Sequence, residues 1–125
     1  QSATSVINDN GWLENIFIPK VQKRGDEIIA ARGASSAASA ANAIIDSVKS
    51  IITPTSEGDW FSICLHSDGS YGIDEGLIAS FPCTSNGEAI SIVQGIELNS
   101  FSQEKIRFTV EELRLEKESV KALLN

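Results

Sequence analysis

"WFSICLHSDGSYGIDEGLIASFPCTSNGEAISIVQG", Trp60–Gly95, decides the fold. It opens with strict alternation. Phe61, Ile63 and Leu65 fall on one face, and Trp60, Ser62, Cys64 and His66 on the other, as a half-buried strand requires. "SDGSYGIDEG" carries three glycines and reads as a loop. "LIASFPC" predicts a second strand, with Leu77, Ala79, Phe81 and Cys83 on its inner face. Pro82 cannot donate to a ladder, which pushes the end of that strand toward a sheet edge. "TSNG" is a hairpin signal, because Asn-Gly tolerates the positive φ angles of a tight turn. "AISIVQG" then predicts a third strand, and an antiparallel meander is the simplest arrangement.

Helices flank this block on both sides. Downstream, Ile106, Val110, Leu113, Val120 and Leu124 keep the helical period, which predicts one long helix from about Ser102, its cap, to Leu124. Glu112, Glu116 and Glu118 interleave with Lys117 and Lys121 on its wetter side. Upstream, "IPKVQKRGDEIIAARG" predicts a helix with Pro19 at the first position, Val21, Ile28 and Ile29 on one face, and Gly33 as break or cap. A second helix follows from about Ser36 to Ile52, capped by Ser35 or Ser36. It is striped by Ile44, Val48, Ile51 and Ile52, and Pro54 stops it. The first eleven residues are polar and read as a loop. The order of helix, helix, three strands, helix gives an α+β fold, with helices packed on one face of an antiparallel sheet.

The 125 residues fit a single domain. No run approaches the eighteen or so apolar residues of a membrane span. The net charge of −7 is unevenly spread: residues 51–100 hold seven acids and no Lys or Arg, and both flanks balance. No basic stripe exists, so a nucleic-acid partner is not expected. The two cysteines, Cys64 and Cys83, lack CxxC spacing, and there is one histidine. A metal site is therefore not expected, and both thiols read as buried and free in a reducing compartment.

Few residues present ready chemistry. His66, followed by Asp68, has the composition of an acid–base dyad. Yet "HSDGSYG" is a turn after a strand, where Asp and Ser serve local hydrogen bonds. "SDG" and "GSYG" lack the spacing and strand-to-helix context of a phosphate loop. Asp74 and Glu75, adjacent acids, read as a solvated loop rather than metal ligands.

The run "AARGASSAASAANA", Ala30–Ala43, is different. Apart from Arg32 and Asn42, every residue is Gly, Ala or Ser. Small side chains bury little area, but they let something come close. Ser35, Ser36 and Ser39 are small donors at a helix start, where free N–H groups and the helix dipole favour an anion. Tight helix–helix packing inside the domain is the other reading, and the residues alone leave both open.

The strings "FIPKVQKRGDEIIAARGASSAASAANAI", "SDGSYGI", "FPC", "IVQGIELNSFSQEKI" and "EELRLEKESV" occur in that order. In order and spacing they resemble the C-terminal part of the NAD-dependent malate dehydrogenases, in the lactate/malate dehydrogenase superfamily. The likeness runs from about Val6 to the end and is closest to the cytosolic-type branch. It implies hydride transfer between malate and NAD, a cytoplasmic location and a homodimer. By resemblance, Ser35 lies beside the bound dicarboxylic acid and Ser39 near the nicotinamide ring, and the small-residue helix packs on a partner subunit.

The family also needs a glycine-rich dinucleotide-binding unit, a catalytic His oriented by an Asp, and arginines that clamp carboxylates. His66 lacks the family's Asn-His context, and Arg24 and Arg32 do not match the clamp positions. No catalytic residue is assigned in this chain. The expectation is one C-terminal substrate-binding and dimerisation domain, residues 1–125, without the NAD-binding Rossmann domain, inactive alone and exposing apolar surface. Two alternatives remain: a lactate or other 2-hydroxy acid dehydrogenase, and a non-catalytic α+β interaction module.

Overall fold

The computed structural model describes residues 3–123. The chain divides into two compact units, Gln1–Ile45 and Asp46–Asn125.

The first unit is helical: α1 (Ala3–Ile7), α2 (Asn10–Trp12), a wider π-helical turn (Leu13–Phe17), α3 (Ile18–Gln22) and α4 (Arg24–Arg32). The expected N-terminal loop is thus helix from Ala3, while Gln1 and Ser2 lie outside the described residues. The polar composition misled because the polarity is a cap: Asp9 Oδ1 accepts from Trp12 N at 2.8 Å. Pro19 stands in the first turn of α3, as predicted, but helical backbone runs into it from the π-helical turn before, where its ring would strike the carbonyl four residues back in a regular α-helix. The turn before it widens, and Ile18 N donates to Leu13 O, five residues back. The same widening brings Trp12 and Phe17 into a stack, with ring centroids 5.3 Å apart. Lys23 interrupts the helix, and Gly33 closes α4 in the left-handed region (φ 72°), its N–H meeting Ile29 O at 2.8 Å. No residue of these helices is buried, and Val21 and Ile29 of the expected apolar face are exposed.

Helix α5 (Ala38–Ile52) crosses the boundary at residues 45/46. It starts two residues after the predicted Ser36, and Ala41 N donates to Ala37 O. Ile44, Ile45, Val48 and Ile52 stand exposed along it, as expected of an apolar face left uncovered. Its last turn belongs to the second unit. Ser85 Oγ donates to Ile51 O, one of the carbonyls a helix end leaves without an intrahelical partner.

The second unit holds the sheet, β1 (Phe61–His66), β2 (Ile78–Ser85) and β3 (Ile90–Ile92), antiparallel in the order β1-β2-β3. Phe61 pairs with Cys83 and His66 with Ile78. The predicted facing holds: Phe61, Ile63 and Leu65 turn inward on β1, and Ala79, Phe81 and Cys83 are buried on β2, after buried Leu77.

Pro82 does not lie at an edge. It sits in the central strand, opposite Ser62. Its carbonyl accepts from Val93 N at 2.8 Å, so that side faces β3. The nitrogen of a strand residue points the same way as its carbonyl, so the β1 ladder loses no bond. The missing donor faces Val93, one residue past β3, and the Val93 carbonyl accepts from the Tyr71 hydroxyl instead.

The hairpin tip carries Gly87 (φ 92°), and Asn86 Oδ1 accepts from Glu88 N and Ala89 N at 2.9 and 2.7 Å. Helix α6 (Ser100–Val120) begins two residues before the predicted Ser102. The cap is Asn99, whose Oδ1 accepts from Ser102 N at 2.8 Å. Val110, Ile106 and Leu113 lay one face of α6 on the core of Ile73, Leu77, Ala79, Phe81 and Cys83. The result is a helix on a three-stranded antiparallel sheet, the α+β arrangement predicted. Val120 stays exposed, and Leu124 lies outside the described residues. Among the described residues no helix is long and apolar enough to cross a membrane.

Candidate functional site

Ser35 lies on the five-residue connection between α4 and α5, not on the helix itself. Gly33 starts that connection with a left-handed turn. Gly, Ala, Ser, Ser and Ala follow one another there, so no large side chain covers the backbone. Ser35 is exposed, and its carbonyl accepts from Arg32 Nη1 at 2.9 Å. Ser39 is the second residue of α5, also exposed, between Ala38 and Ala40. Helix geometry leaves the first N–H groups of α5 without acceptors in a preceding turn. The two predicted serines therefore come within four residues of each other at one helix entrance. The surface there holds three hydroxyls, of Ser35, Ser36 and Ser39, the donors of a helix start, and no side chain larger than serine between Gly33 and Ala41. Such a surface can hydrogen-bond an acid and admit a flat ring. It carries no general acid or base of its own.

The His66–Asp68 dyad does not form. Asp68 Oδ1 instead accepts from Ser70 N at 2.9 Å, and the Ser70 hydroxyl and N–H hold the Asp68 carboxyl below the usual range. This is the local turn bonding expected of Asp after a strand. Neighbouring Ser67 is 1% exposed; its hydroxyl donates to Ile73 O at 2.9 Å and accepts from Gly69 N at 3.2 Å. "GSYG" is a turn in which Tyr71 takes a left-handed conformation (φ 56°) and its hydroxyl donates to Val93 O. It is a clasp between two loops, not a phosphate cradle.

Asp74 was read as a solvated acid. It is the partner of Arg114 on α6, which grips it with Nε on Oδ2 and Nη2 on Oδ1, both at 2.6 Å. That bidentate bond lowers the Asp74 pKa and, with Glu111, raises that of Arg114. Forty residues separate the pair, so no local spacing could have announced it. Among the described residues, no group of three or more His, Cys, Asp or Glu could hold a metal ion. The cysteines divide. Cys83 is buried, which pushes its thiol pKa up, but Cys64 is exposed, because it belongs to the outward set of β1. The reading of both thiols as buried holds for one of them.

Sequence reasoning also missed the contact of Arg32 with Ser35. It tested Arg32 only as a carboxylate clamp, and a side-chain bond to a backbone carbonyl three residues on has no motif.

Known proteins share this fold. Residues 1–124 match the family described as lactate/malate dehydrogenase, alpha/beta C-terminal domain. Malate dehydrogenase from Naegleria fowleri is 43% identical, with a TM-score of 0.85, over 94% of this chain and 36% of that one. Trichomonas vaginalis lactate dehydrogenase, solved with NADH and oxamate, is 34% identical, with a TM-score of 0.82, over 90% of this chain and 35% of its own. Plasmodium falciparum malate dehydrogenase, solved with NADH, shares the fold at a TM-score of 0.70 and 22% identity, over 86% of this chain and 35% of that one. The chain spans little more than a third of the length of these relatives. It belongs to the lactate/malate dehydrogenase family, whose C-terminal α/β domain it matches.

Proposed function

We propose that this chain is the C-terminal, substrate-side domain of an NAD-dependent malate dehydrogenase. One observation carries the choice of substrate: 43% identity over 94% of the chain to a malate dehydrogenase, against 34% over 90% to a lactate dehydrogenase. In this reading the Ser35 hydroxyl hydrogen-bonds the hydroxy or oxo acid at the α5 entrance. Ser39 and its alanine neighbours leave room for the nicotinamide and keep bulk water off that face. NAD, when bound, supplies the acceptor for the hydride leaving malate C2. The chain has no GxGxxG segment and no Asn-His pair, so the dinucleotide fold, the base and the carboxylate clamps come from outside these residues. A homodimer joined partly through the small-residue helix, and a cytoplasmic location, belong to the same proposal and rest on the cytosolic-type strings.

A second reading, a lactate dehydrogenase, has one observation in its favour, the Trichomonas relative just described. The experiment measures NADH formation by the intact natural polypeptide with malate and with lactate. Malate should lead in kcat/KM by about a hundredfold or more, since a site built for a second carboxylate strongly rejects an acid without one. A lead for lactate replaces the first reading with the second. Residues 1–125 alone should form no NADH from malate.

A further inference from the structure

Arg32 is the one charged residue among the small ones from Ala30 to Ala41. Its place is at the C-terminal end of α4, one residue before the left-handed Gly33. From there its guanidinium reaches across the turn, and Nη1 donates to Ser35 O at 2.9 Å. The two ends of the 33–37 connection are held by helix bonds, Gly33 N to Ile29 O and Ala41 N to Ala37 O, and the Arg32 bond is what reaches its middle. Gly33 has maximal backbone freedom, and Ala and Ser side chains bury too little to anchor a loop. A hydroxyl aimed at a substrate must be held to about half an ångström to be effective. The Arg32 bond fixes the peptide that carries Ser35, and with it the direction of the Ser35 Cα–Cβ bond.

We infer that Arg32 is a positioning residue for the substrate serine, acting through the Ser35 carbonyl and not by touching the acid. The inference rests on the proposed role of Ser35. Arginine suits the task because it is charged at every working pH and its planar fork loses little freedom per bond formed. Lysine, with one flexible ammonium, can make the same single bond less well.

The test is a cycle of Arg32→Ala, Arg32→Lys, Ser35→Ala and Arg32→Ala/Ser35→Ala in the intact natural polypeptide. KM and kcat are read for the oxo acid and for NADH, with thermal unfolding alongside. Arg32→Ala should raise the oxo-acid KM roughly 3- to 10-fold, the equivalent of one ordinary hydrogen bond, with the NADH KM and Tm nearly unchanged. Arg32→Lys should recover most of that loss. The two alanine substitutions should be non-additive: once the hydroxyl is gone, removing the arginine should cost less than twofold more. A merely structural arginine would give additive losses and a lower Tm, and that outcome overturns the inference. If Ser35→Ala raises KM and Arg32→Ala does not, the inference fails and the role of Ser35 stands. If Ser35→Ala changes nothing, the role of Ser35 fails and takes the inference with it.

Discussion

At the scale of single residues, this chain uses its polar side chains mainly to close loops. Ser67 shows the energetics. Its buried hydroxyl satisfies Ile73 O and Gly69 N together. Ser67→Ala should lower stability by about 1–2 kcal/mol, because an acceptor would be left without its partner; urea unfolding of the natural polypeptide measures it. Asp74 gives the pH dependence. Its pKa lies below the ordinary 3.8 in the folded chain, chiefly through the bonds from Arg114. A depressed folded pKa means that the stabilisation is present above the unfolded value and is lost as pH falls through the folded one. The urea midpoint should therefore fall below about pH 4, and less steeply in Asp74→Asn. An equal slope in both proteins would remove Asp74 from the account. The turn bonding of Ser67 was legible in sequence as local hydrogen bonding, whereas the Asp74 partner was not, because it lies 40 residues away.

Among the elements, type was easier to read than boundary. The strands were legible because alternation with period two records which face is buried. Helix ends were less so, since several neighbouring residues can serve as caps. Ser102 and Asn99 are both good N-cap residues, and the structure uses Asn99, whose oxygen meets Ser102 N. Asn99→Ala should cost about 1 kcal/mol, and Ser102→Ala much less; paired melting curves separate the two. Pro19 and Pro82 share one lesson. Pro19 was read as a helix start and Pro82 as an edge signal, and each lies where its missing N–H is tolerated. A π-helical turn precedes Pro19, and the Val93 carbonyl opposite Pro82 takes the Tyr71 hydroxyl instead.

For the molecule as a whole, burial is concentrated in one place. Phe81 is 1% exposed and Cys83 fully buried, beneath Val110 of α6. Phe81→Ala should destabilise by about 3–5 kcal/mol, the usual cost of emptying an aromatic site in a packed core. A cost under 1 kcal/mol, read by denaturant titration, would show that this cluster is not the core. The residues of the proposed site lie elsewhere in the chain, in the unit where none of the described residues is buried.

The sequence by itself determined the class of fold, the inward faces of the first two strands, the small-residue stretch and the family. Periodicity, composition and ordered motifs are local records of burial and ancestry, and they can be read along the chain. Only the tertiary structure decided that Pro82 is central, that Asp74 belongs to Arg114, that Cys64 faces outward to solvent and that Arg32 holds the Ser35 peptide. Those facts depend on which segments meet in space. The free energy that brings them together comes from the whole core, and no single stretch of sequence contains it.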